Sequence, residues 1–128
     1  MTLTAPIGAG DLIDRITILS IKAARFADPR KRATAAAAYN ALTAVRDAGL
    51  PQTADMAALA ADLRMINEAL WDIENLLRAH DARSDFGLAF VALARKVYRA
   101  NDRRAAIKAR IDLAAGTDPS DPKEHPTY

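Results

Sequence analysis

With 128 residues the chain has room for one hydrophobic core and not for two, and a composition 51% apolar and 27% charged is that of a globular chain rather than a disordered one. Eighteen Lys and Arg against sixteen Asp and Glu leave a formal charge of +2, too weak a field to point to nucleic acid. The absence of cysteine removes disulfides, thiolate nucleophiles and cysteine-ligated zinc, and His80 and His125 have no His-x-x-x-His partner, so no metal and no cofactor is expected.

The opening MTLTAPIGAGDL has no basic stretch followed by an apolar one, and no segment approaches the roughly 18 apolar residues of a membrane span. A soluble, cytoplasmic chain is expected. Gly10-Asp11 opens a first helix over about Asp11 to Ala27, apolar around much of its circumference and so the one expected to be most buried. Pro29 suits the first turn of a second helix, from Pro29 or Arg30 to Ala48, whose alanines make a smooth, thin outer surface broken by Tyr39, Leu42 and Val45.

Thr53, with Asp55 close behind, starts a third helix reaching about Ala82. Met56, Leu59, Leu63, Ile66, Leu70, Ile73 and Leu77 follow one another in it at steps of 3 and 4, a coiled-coil seam. A fourth helix, Asp85 to Ala115, answers with Phe86, Phe90, Leu93, Val97, Ala100, Arg104, Ile107, Ile111 and Ala114. The short link between two such helices predicts an antiparallel hairpin about 45 Å long. Gly49 and Gly116 are placed as C-terminal caps. The fold class is therefore all-α, an antiparallel helical bundle of about four helices with a long C-terminal hairpin. It forms a single helical domain over 1–116, followed by a Pro-rich tail over 117–128 that is expected to fray.

Some residues break this pattern. Arg104 sits at a seam position, where an unpaired guanidinium would cost several kcal/mol and so needs a carboxylate or a ligand. Asn67, Trp71, Glu74 and Arg78 line one flank of the third helix, and Tyr98, Asn101 and Lys108 one flank of the fourth. In the first helix Asp14 shares a face with Arg25, and Arg15 with Lys22. One account is structural: Glu74 or Asp14 pairs with Arg104, Trp71 and Tyr98 pack, and Asn67 and Asn101 fix the register. The other is an anion pocket of Arg104, Lys108, Arg78 and Arg15 with Trp71 or Tyr98 as a platform.

Asp11-x-x-Asp14 and Glu68-x-x-x-Asp72 each place two acids on one face, but their spacing departs from the Glu-x-x-Glu and Glu-x-x-Asp pairs that hold Mg²⁺ in all-α nucleotide pyrophosphohydrolases. They read as solvated helix charges. RANDRRAAIKAR (99–110) spreads its charges around a helix without interleaved aromatics and reads as a wet face. Gly8-x-Gly10-Asp11 before a helix is a weak phosphate signal with no strand ahead of it.

The blocks GDLIDRITILSIKAAR, NEALWDIENLLR and FVALARKVYRANDRRAAIKARI, with the final tyrosine, resemble a bacterial family of small all-helical proteins without an assigned biochemical function. The resemblance covers most of the chain outside the second helix. It implies Gly10, Asp14, Lys22, Asn67, Trp71, Glu74, Arg95, Tyr98, Asn101, Asp102, Arg104 and Lys108 as signature positions. It also implies a link to cell-envelope polysaccharide biosynthesis. The family tail is of the form Glu-Lys-Ser-Tyr, whereas this chain has KEHPTY.

No motif names a reaction. The leading expectation is a non-enzymatic helical binding or assembly module, a homodimer through exposed seam or alanine surface, with Glu74, Arg104, Tyr98 and Asn101 as its specificity element. The alternative is a small helical-bundle enzyme or binder of an anionic molecule, phosphorylated or carboxylate. There Arg104, Lys108 and Arg78 neutralise charge, and Glu74 or Asp14 serves as acid or base.

Overall fold

The computed structural model describes residues 1–118 and 124–126 and forms four helices, α1 (Ala9–Arg25), α2 (Pro29–Gly49), α3 (Ala54–Ala82) and α4 (Leu88–Ala115). They make an all-α antiparallel bundle, with no strand among the described residues and no helix long and apolar enough to cross a membrane. The expectations for 119–123 and for the final Thr127-Tyr128 lie outside the described residues.

Local chemistry explains most helix ends. Asp28 caps α2 by accepting from the Arg30 amide at 2.8 Å, with Pro29 in the first turn, and Thr53 caps α3 by accepting from the Met56 amide at 3.1 Å. Gly116, at φ 70°, ends α4: its amide reaches the Leu113 carbonyl at 3.2 Å and the Thr117 amide the Asp112 carbonyl at 3.0 Å. This left-handed closure turns the chain back toward α1.

Four boundaries differ from the sequence reading. Gly49 is the last residue of α2 rather than a left-handed cap, because Leu50 precedes Pro51 and is held extended by it, so the chain leaves the helix without a positive φ. Helix α4 starts at Leu88 and not at Asp85. Ser84 takes a left-handed φ of 53°, and the Asp85 amide donates to the His80 carbonyl at 2.9 Å, which holds the link as a turn. Phe86 therefore precedes the helix and packs edge-on against Phe90 at 5.2 Å instead of filling the seam. Helix α1 runs from Ala9 to Arg25, two residues earlier than expected at each end, and Phe26 leaves it extended to pack on Trp71 at 5.9 Å.

Helix α1 is the hub. It packs against the other three helices, whereas the backbone of α2 approaches α1 alone among them. The core is made of Leu12, Ile13 and Ile16 from α1, Met56, Leu59 and Leu63 from α3, and Ile111 from α4, with Leu63 and Ile111 fully buried. At 17 residues α1 spans about 26 Å, far short of the roughly 44 Å of α3. It ends opposite Trp71 and Asp72. Beyond that point α3 and α4 continue as a two-helix arm in which no residue between Trp71 and Arg99 is buried.

The close approach of α1 to α4 depends on Gly10. A Cβ there would overlap the carbonyl oxygen of Lys108, whereas one on Gly49 would meet nothing within 4 Å. Gly10→Ala is therefore expected to destabilise the fold by about 1–3 kcal/mol through overpacking against backbone. Gly49→Ala is expected to stabilise it by about 0.4–1 kcal/mol through unfolded-state entropy. Chemical denaturation of the two variants checks the opposite signs.

Candidate functional site

Arg104, Lys108 and Asp112 recur every fourth residue on α4 and so form one stripe, which the first turns of α1 meet in antiparallel order. At the inner end, Asp14 accepts from Arg104 Nε at 2.9 Å and from Arg104 Nη2 at 2.5 Å, a two-pronged pair whose carboxylate side chain is only 6% exposed. Asn67 donates to Asp14 Oδ1 at 3.0 Å and to Thr17 Oγ1 at 2.7 Å, and Thr17 in turn donates to the Asp14 carbonyl at 2.8 Å. Arg104 also donates to Asn101 Oδ1 at 3.4 Å. One turn along, Lys108 Nζ lies 2.7 Å from Asp11 Oδ1.

At the outer end α4 caps α1. Gly8 offers no capping side chain, but Asp112 Oδ1 accepts from the Gly10 amide at 2.7 Å, and Thr117 Oγ1 accepts from the Ala9 amide at 3.1 Å while donating to Asp112 Oδ1. A buried carboxylate thus stands where the positive end of the α1 dipole favours an anion. The phosphate signal at Gly8-x-Gly10 is corrected by this contact, since the amides it required already have partners.

Beside the stripe lies a solvent-open cleft of about 720 Å³ between α1, α2 and α4. Helix α1 contributes Asp11, Asp14, Arg15, Ile18, Leu19 and Lys22 to it. Helix α2 supplies Ala38, Ala41 and Leu42, and α4 supplies Arg104 and Lys108. Four cations thus face two acids, and each acid is already paired with a cation of α4. Arg15 and Lys22, two turns apart on one face of α1, have no side-chain hydrogen bond or ion pair among the described residues.

The structure divides the residues singled out from the sequence. Asp14, Arg15, Lys22, Arg104 and Lys108 meet at the cleft, with Asn67 and Asn101 bonded behind it. Trp71 packs on Phe26, Tyr98 is on the surface of α4, and neither lines the cleft. Glu74 and Arg78 approach each other at 3.6 Å and border a smaller cavity of about 310 Å³ on the arm. Glu74 lies at the level of Val97 on the arm, about two turns from Arg104, and so is not its partner, and Arg78 is not part of the anion pocket because α1 ends before reaching it. Glu68 pairs with Arg64 and Asp72 with Arg25, each at 2.8 Å. Among the described residues no three His, Cys, Asp or Glu side chains cluster as metal ligands do.

Asp112 and Thr17 were missed from the sequence. The four-residue spacing from Arg104 through Lys108 was a usable signal for Asp112. Nothing in the sequence marked Ala38, Ala41 and Leu42 as a cleft wall.

Leaving Asp14 or Arg104 without its partner is expected to cost about 2–3 kcal/mol, below the 3–5 of a fully buried pair because the Arg104 side chain is 29% exposed. The doubly substituted Asp14→Leu/Arg104→Met chain should recover much of that loss, as measured by a denaturation double-mutant cycle. Strictly additive losses would mean that the pair is not coupled. No family model, no curated protein and no solved structure matches the chain.

Proposed function

We propose that the protein binds an anionic small molecule, bearing phosphate or carboxylate, in the cleft between α1, α2 and α4. The observation that carries this reading is the positive charge there: among the described residues Arg15 and Lys22 have no counter-charge, beside an Arg104 and a Lys108 that pair with Asp14 and Asp11. Cations fixed on helices before a ligand arrives lose little freedom on binding it. Binding is favoured over catalysis because Asp14 accepts from Arg104 and Asn67 and Asp11 is paired with Lys108, so both acids anchor cations. Glu74, the other candidate acid or base, lies outside the cleft.

Titration calorimetry with inorganic pyrophosphate tests the reading. Arg15→Gln and Lys22→Gln should each weaken binding by roughly tenfold through loss of a charge-assisted contact. Neither residue holds the fold together, so the melting temperature of the unliganded variants should stay close to that of the parent. Affinity should also fall as salt is raised. Absence of pyrophosphate binding at low salt would end the proposal.

A second reading, homodimeric assembly, is favoured by the arm. Leu76, Phe86, Leu88 and Val91 are exposed on it, Leu88 at 90%, and no third helix covers the seam there. Two arms related by a dyad would cover each other's exposed apolar side chains. The result would be a four-helix bundle. Sedimentation equilibrium should show a dimer that Leu76→Glu/Leu88→Glu converts to a folded monomer, and a parent chain that is monomeric at every concentration would exclude this reading.

A further inference from the structure

We propose that the molecule held in the cleft has an aliphatic body behind its anionic head, as in an alkyl or acyl phosphate or a medium-chain carboxylate, and is not a nucleotide or a sugar phosphate. This rests on the anion-binding reading above and concerns the other half of the ligand. Among the described residues, every side chain lining the cleft is either charged or aliphatic, and none is Ser, Thr, Asn, Gln, Tyr, Trp, Phe or His. A nucleobase is read at its edges by acceptors as well as donors, and a sugar by partners that accept from its hydroxyls. Arg15, Lys22, Arg104 and Lys108 can only donate. The one tryptophan packs on Phe26 away from the cleft, Tyr98 does not line it, and both carboxylates that could accept from a hydroxyl already pair with Arg104 and Lys108.

On α1 the cleft interleaves Ile18 and Leu19 with Arg15 and Lys22, and Ala38, Ala41 and Leu42 of α2 complete an aliphatic wall beside Arg104 and Lys108 of α4. Ile18 and Leu19 are only half-buried, because Ala38 and Ala41 are too short to reach across and cover them, and Leu42 is half-buried as well. Covering that wall is what an alkyl chain does on binding, and the gain grows with each methylene removed from water. The volume falls within the range of pockets that take whole small molecules.

The test is calorimetry on the whole chain with inorganic phosphate, then methyl, butyl and hexyl phosphate, beside adenosine monophosphate, glucose 1-phosphate and uncharged hexanol. Affinity is expected to rise roughly two- to fourfold per methylene. The nucleotide and the sugar phosphate should bind no tighter than inorganic phosphate, and hexanol should not bind measurably. Ala38→Leu/Ala41→Leu fills the wall and should remove the dependence on chain length while phosphate still binds, with a melting temperature no lower than the parent's. Phosphate binding with no chain-length dependence, or tightest with the nucleotide or sugar phosphate, would overturn this inference and leave the anion site standing. Failure of every anion to bind would overturn both.

Discussion

A guanidinium set into an otherwise apolar helix seam has to be met by a fixed anion, and Asp14 meets Arg104 with both carboxylate oxygens. That requirement sets how α1 is rotated and how deep it lies. With Asp14 turned inward, Leu12, Ile13 and Ile16 enter the core, Asp11 faces Lys108, and the first amides of α1 come under Asp112 and Thr117. Gly10 permits the contact, since a side chain there would collide with the α4 backbone. Asn67 ties the same carboxylate to α3, so one buried group relates three helices.

The cleft follows from that placement. Once α1 has given one face to α4 and another to the core, Arg15, Ile18, Leu19 and Lys22 are left on a flank that faces α2. Helix α2 offers alanine there, and packing that short-sided surface against a charged neighbour leaves space rather than filling it. A bundle whose fourth helix were rich in leucine would close the gap. The positive charge of the cleft is local, because Asp11 and Asp14 sit behind the α4 cations while no described acid pairs with Arg15 or Lys22. A net charge of +2 over the whole chain gives no hint of it.

Legibility varied from element to element for physical reasons. The seam of α3 could be read because a heptad repeat is one-dimensional information: Met56, Leu59, Leu63 and Leu70 are buried, while Ile66, Ile73 and Leu77 are partly covered as neighbours run out. Arg104 could be recognised as anomalous within such a repeat, and Asp14 as one of two possible partners. The choice between Asp14 and Glu74 was not a local matter, because it depends on the register of the α3–α4 hairpin, which sets Glu74 beside Val97 and Asn67 beside Arg104, and on the docking of α1 against it. The start of α4 differs from the sequence reading because Ser84 and Asp85 resemble a capping pair, while their amides are engaged in a turn, Ser84 to the Asp81 carbonyl and Asp85 to the His80 carbonyl.

The amino-acid sequence by itself determined four helices, most of their ends and the apolar stripe of each, because periodicity, capping residues, glycine and proline act within a few residues of where they stand. It also marked the charged residues that would need partners. Tertiary structure alone decided which partners they found, that the stripe from Arg104 to Asp112 would cap α1, and that Arg15 and Lys22 would border a cleft walled by the alanines of α2. Those outcomes depend on the relative length, rotation and spacing of helices packed in three dimensions. No local pattern encodes them, since the residues concerned are brought together from as far apart as Gly10 and Asp112.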